Sequence, residues 1–121
     1  MDTIEFREQL KQRTKDFALR VIRLYQSLPN NTENQVIGKQ LLRSGTSVAA
    51  NYRAACRSRS NAEFYSKISI VIEEADESLF WLELLQESGI IQENRLKELY
   101  HENEEILKIM VVARKNSEKN K

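Results

Sequence analysis

Glycine, proline, cysteine and histidine are scarce in this chain, at three, one, one and one in 121 residues. Each shortage excludes something. The lone Cys56 has no partner for an internal disulfide, and a chain of this length buries roughly two-thirds of its unfolded surface without one. A zinc knuckle, a Cys-His nucleophile pair or a Ser-His-Asp triad would all depend on the single imidazole of His101, and no local motif fits any of them. The reading is of a non-enzyme with no cofactor, no metal and no small-molecule substrate. No apolar run approaches the roughly 20 residues that span a bilayer, and the charged start MDTIEFREQLKQR is unlike a signal peptide. A cytoplasmic protein with no membrane contact is expected.

Few glycines and prolines leave few places to turn, while 31% charged residues and 7% aromatic ones fit solvated helices around one core. The class is all-α. Turn signals fall at Leu28-Pro29-Asn30-Asn31, at Arg57-Ser58-Arg59-Ser60-Asn61 and at Ser88-Gly89, dividing the chain into four segments. Helices are expected over about 4–28, 33–58, 61–88 and 93–115, in one domain over 1–115, followed by a disordered tail at about 116–121 that lacks an apolar anchor. Thr32 with Gln35, and Ser60 with Glu63, have the spacing of capping boxes. Gly89 stands where a helix end favours a left-handed residue.

Apolar residues recur at alternating steps of three and four, the pattern of near-parallel helices packing knobs into holes. The inward stripes are Phe6, Leu10, Phe17, Val21, Leu24 and Leu28; then Ile37, Leu41, Val48, Tyr52 and Ala55; then Phe64, Ile68, Val71, Ile72, Ala75, Leu79 and Leu82; and finally Leu96, Leu99, Ile106, Met110 and Ala113. Gly45 lies in the second stripe. It costs about 1 kcal/mol against Ala in a helix interior, so its expected role is close approach by a neighbouring helix. Asn103, in the fourth stripe, reads as a satisfied polar residue that sets register.

The third helix is apolar on a second side as well. At 100° per residue, Ile70, Glu73, Glu77, Phe80, Trp81 and Leu84 gather away from its core stripe, and aromatic residues flanked by charge resemble interface anchors. A wide core stripe is the alternative. Helix two carries an outward stripe of Lys39, Arg43, Thr46, Ala50, Arg53 and Arg57, with Arg59 just beyond. Between Asn34 and Ala62 there are five basic residues and no acid, whereas Glu73 to Glu105 holds eleven acids against Arg95 and Lys97. The near balance of 19 Lys and Arg with 18 Asp and Glu therefore hides two halves of opposite sign. In one reading the basic stripe meets the acidic stripe of another copy, with Thr46 and Ala50 making room for Trp81 or Phe80 in a heterologous contact. In the other it tracks nucleic-acid phosphates. Self-association is favoured, because a dedicated nucleic-acid module usually carries excess positive charge. The two readings are compatible if an assembly gathers basic ends around one rim.

The stretch from Leu41 to Ser60, LLRSGTSVAANYRAACRSRS, followed by Glu63-Phe64 and by EEADESLFWLELL from Glu73 to Leu85, resembles the bacterial four-helix-bundle family named for open reading frames inside 23S rRNA intervening sequences. The resemblance covers nearly the whole chain. It implies a left-handed up-and-down antiparallel bundle, a ring-shaped homopentamer, and no enzymatic activity. It also implies a distant likeness to the accessory protein of diversity-generating retroelements, a basic pentamer that binds RNA and a reverse transcriptase. Ser47, Val48 and Asn51 match the family's Ser-apolar-x-x-Asn signature, Arg59-Ser60 and Glu63-Phe64 match its helix-three start, and Glu77 is similar to its recurrent glutamate. Many members continue with Ile-Ala-Glu-Gly, where this chain has Tyr52, Arg53, Ala54 and Ala55, so no role of that glutamate carries over.

Sharper chemistry finds little support in the residues. Glu98 and His101 have the Glu-x-x-His spacing of di-iron carboxylate bundles, which need two such motifs; only one copy exists, and it points away from the Leu96, Leu99 and Ile106 stripe. A metal-dependent carboxylate enzyme is thus the remote alternative. Glu73, Glu74, Asp76 and Glu77 read as salt-bridging acids rather than acid/base pairs. Cys56 reads as a small buried hydrophobe, with a thiol activated by Arg53 or Arg57 as the lesser option, and Asn51 as an inter-helix hydrogen bonder.

Overall fold

The computed structural model describes residues 3–119, which form α1 (Thr3–Ser27), α2 (Thr32–Ala55), α3 (Asn61–Glu87) and α4 (Glu93–Lys119). Short connections place successive helices side by side in an up-and-down four-helix bundle. The α2/α3 contact is the most extensive, and α1 touches α4 only sparsely. Among the described residues, no helix is long and apolar enough to cross a membrane.

Local chemistry accounts for the helix ends. Asn31, in extended conformation, caps α2 by accepting the Asn34 N–H at 2.9 Å. The cap therefore lies one residue before the expected Thr32, and Gln35 instead accepts from the Tyr25 hydroxyl of α1 at 3.0 Å. Ser60 caps α3 as its spacing predicts, accepting the Glu63 N–H at 3.1 Å, while Glu63 reaches back to the Arg59 N–H at 3.2 Å. Gly89 has a φ of +76°, the left-handed conformation that costs glycine least. Helix α2 stops at Ala55, three residues short of the expected end.

Helix α4, by contrast, runs beyond the expected limit at 115. Residues 116–119 are helical, and Ser117 is buried with its hydroxyl donating to the Asn61 carbonyl at 3.4 Å. A polar contact at the start of α3 thus supplies the anchor that apolar patterning did not reveal. Residues 120 and 121 of the expected tail lie outside the described residues.

The core contains Leu10, Phe17 and Val21 of α1; Leu41, Val48, Tyr52 and Ala55 of α2; Ile68, Val71, Ala75, Leu82 and Leu85 of α3; and Leu96, Leu99, Ile106 and Met110 of α4. Ile91 closes one end from the last connection. Phe6 departs from its stripe: it is 40% exposed, because α1 and α4 meet too sparsely there to cover it. At Gly45 a β-carbon would stand 3.0 Å from Val21 Cγ2, so the missing side chain sets the α1/α2 approach.

Buried polar side chains find partners inside the bundle, across helices or within one. The Ser44 and Ser78 hydroxyls meet at 2.8 Å between α2 and α3. Thr14 turns its hydroxyl back to the Leu10 and Lys11 carbonyls of its own helix. Asn103 faces one acceptor and one donor of α3; with its amide oriented to suit them, it donates to the Ala75 carbonyl and accepts the Leu79 N–H, both at 3.1 Å.

Candidate interaction surfaces

Arg43 projects from α2 onto the seam with α3, where its guanidinium pairs with Glu74 at 3.0 Å and with Glu77. Glu77 also accepts the indole N–H of Trp81 at 2.9 Å. Four residues expected on surface stripes or in an acidic run thus form one cluster within a single chain. The indole N–H first, and Arg43 with it, hold the Glu77 carboxyl below the usual carboxylate range; Glu77 in turn raises the Arg43 pKa. Arg43 and Glu77, expected on surfaces between subunits, each have a partner on the neighbouring helix of the same chain.

Trp81 is half-buried and packs against the core. Its ring meets Phe80 edge to face, with centroids 4.9 Å apart. Phe80 itself is 49% exposed and Ile70 41% exposed; Leu84 is half-buried and Glu73 exposed. The second face of α3 therefore divides. Trp81 and Glu77 turn toward α2, while Glu73, Asp76, Phe80, Leu84 and Glu87, at steps of three, four, four and three, form an outward ridge of acids around an aromatic centre.

The basic stripe divides as well. Arg53 and Arg57 line an open groove of about 520 Å³ between α1 and α2, together with Thr46, Ala49 and Ala50. Lys11, Lys15, Gln12 and Glu8 complete it from α1. Glu8 holds Lys11 at 2.6 Å. Lys39 and Arg59 are exposed but do not line this groove. Lys11 and Lys15 were not singled out in the sequence; their i, i+4 spacing is a signal, but it acquires meaning only when α1 is packed beside α2.

The remaining positions have local roles. Asn51 donates to the Ser47 carbonyl of its own helix at 2.9 Å, so the expected inter-helix bond is made by Asn103 instead. Phe64 is half-buried beneath the Arg7 guanidinium, 5.2 Å from its ring centre. Cys56 is half-buried beside the core, and burial pushes the nearby Tyr52 phenol up. Glu98 is exposed, and so is His101, which faces Glu104 at 3.8 Å. No group of three His, Cys, Asp or Glu side chains among the described residues is arranged to hold a metal ion. In the cleft between α3 and α4, Tyr100 donates to Glu83 at 2.9 Å, and that bond pushes its phenol up to about 12.

Among curated proteins none matches this chain. A crystal structure of a protein of unknown function from the S23 ribosomal protein family of Bacteroides thetaiotaomicron VPI-5482 is similar over 90% of this chain and 97% of its own, at 36% identity and a TM-score of 0.84. The two share their fold over nearly their full lengths. The family model described as 23S rRNA-intervening sequence protein matches residues 8–112, a span that takes in most of α1 and α4 and all of α2 and α3. Neither description names an enzymatic activity, and this chain belongs to the family of 23S rRNA-intervening sequence proteins.

Proposed function

We propose that this protein is a non-enzymatic cytoplasmic scaffold that assembles with copies of itself into a closed ring, with five subunits as the family resemblance implies. The observation that carries the reading is the exposure of Phe80 and Ile70 on the outward side of α3. A bundle that worked alone would gain nothing from holding these side chains in water beside acids, whereas an interface gains from burying them. Light scattering in native buffer tests it. A mass several times the 14.2 kDa of one chain is expected, and Phe80→Ala is expected to lower it; a monodisperse monomer rejects the reading.

A second reading, RNA binding, is favoured by the groove in which Lys11, Lys15, Arg53 and Arg57 converge. Each phosphate neutralised there would add salt-dependent affinity. RNA retention is expected to fall steeply with salt and with Arg53→Ala plus Arg57→Ala, and no retention at low salt removes this reading. A protein partner docking on the assembled ring is the remaining use for such a scaffold.

A further inference from the structure

The groove and the ridge lie on different sides of the bundle, and their features are complementary. Between α1 and α2, Lys11, Lys15, Arg53 and Arg57 border a floor of Ala49 and Ala50. Among the described residues no ion-pair partner is found for Lys15, Arg53 or Arg57, and Lys11 has only Glu8. The ridge on α3 presents Glu73, Asp76 and Glu87 exposed on either side of Phe80, and none of these acids has an ion-pair partner among the described residues. Glu73 and Glu87 stand roughly 21 Å apart along the helix, against roughly 16 Å for the groove from Thr46 to Arg57.

We infer that the Phe80 ridge of one copy seats in the α1/α2 groove of the next, with Phe80 over Ala49 and Ala50 and the ridge acids facing Lys11, Lys15, Arg53 and Arg57. The inference rests on the self-assembly reading and names its two surfaces. Arg43 has no part in the contact, because Glu74 and Glu77 of its own chain occupy it. Small residues on the floor leave room for an aromatic ring, and cations at the border match acids on the ridge. The groove offers no ring on which a base could stack, a feature that single-stranded nucleic-acid channels commonly supply. Since ridge and groove are different surfaces of one chain, the contact is heterologous, and each copy has one neighbour on either side.

Two charge-reversed chains test the pairing. One carries Arg53→Glu with Arg57→Glu, the other Glu73→Lys with Asp76→Lys. All four positions are exposed, and circular dichroism confirms that each variant keeps its helices. Each variant alone is expected to shift by light scattering from the wild-type mass toward the 14.2 kDa of one chain. An equimolar mixture is expected to regain mass through alternating chains, a tag on one variant retaining the other, with one unmatched contact wherever the ring has an odd number of subunits. A wild-type oligomer whose mass neither variant changes overturns this docking while leaving self-assembly standing on another face, such as Ile4, Phe6 and Val112. A monomeric wild type overturns self-assembly itself. A short single-stranded RNA that binds the intact oligomer and is lost on Arg53→Glu with Arg57→Glu while the oligomer mass stays unchanged shows the groove open to phosphate, which also overturns the docking.

Discussion

At Gly45 the space of a side chain belongs to Val21 of α1, whose Cγ2 and Cγ1 would lie 3.0 and 3.1 Å from a β-carbon built there. Val21 is fully buried and β-branched, so it has little rotameric freedom with which to yield. Gly45→Ala gains up to about 1 kcal/mol of helix propensity but is expected to lose more to overpacking, for a net destabilisation of about 1–2 kcal/mol by urea unfolding. Adding Val21→Ala should relieve the clash, so the double variant is expected to be less destabilised than the sum of the two single changes. Additive losses would show that the approach is not set by this pair. Glu77 supplies a second single-residue test. Its carboxyl is held below the usual range by the Trp81 N–H and by Arg43, so the stability it contributes is fully present above its ordinary value of 4.5 and disappears as pH falls through the lower folded value. The gap in urea midpoint between wild type and Glu77→Gln should therefore be widest at neutral pH and close in acid. A gap that is constant with pH would mean that the charge of Glu77 contributes nothing.

Among the elements, α3 and α4 are locked by one buried amide. Asn103 has no solvent exposure, and its two contacts, to the Ala75 carbonyl and the Leu79 N–H, fix which turn of α4 lies against which turn of α3. Asn103→Asp keeps the shape and removes the donor, setting a carboxylate oxygen against the Ala75 carbonyl. A cost of about 3 kcal/mol is expected near pH 8, from an uncompensated buried charge. Burial raises the pKa of such a carboxyl, so the stability returns as pH falls and the protonated acid recovers a donor. Equal losses at both ends of the pH range would place the damage elsewhere. The inward position of Asn103 was legible in the sequence because stripe periodicity is a property of each helix alone, as were the Ser60 cap, the turn at Gly89 and most of the core. What joined two helices was harder to read. The partners of Arg43 depend on how α2 is rotated against α3, and Lys11 and Lys15 join Arg53 and Arg57 only through the packing of α1 on α2. Asn31 displaced Thr32 as cap because adjacent residues of near-equal capping strength leave the choice to the extended backbone at Asn31. Ser117 anchors α4 by a bond to Asn61, 56 positions earlier in the chain, a contact that composition does not encode.

On the scale of the whole molecule, the fold sorts part of the near-neutral balance of 19 basic and 18 acidic residues into a groove rich in cations, with Glu8 as its one acid, and a ridge rich in acids. Association between such surfaces has two components with opposite responses to salt. The exposed charges act over about 8 Å at physiological ionic strength and about 3 Å at 1 M, so their contribution falls as salt is added. Burial of Phe80 is indifferent to screening and strengthens with excluded salts such as sulfate. Oligomer mass is therefore expected to decline as sodium chloride is raised from low levels to about 1 M, the range over which screening grows, and to decline less in sodium sulfate at equal ionic strength. Phe80→Asn should lower the mass at every salt concentration, because it removes the component that screening does not touch. The seam where α1 and α4 meet sparsely, with Ile4 73% and Val112 57% exposed, would respond differently. Assembly through that face would hold or grow as sodium chloride is added and would ignore Phe80→Asn, so the salt series with this one variant distinguishes which of the two exposed apolar faces an assembly would use.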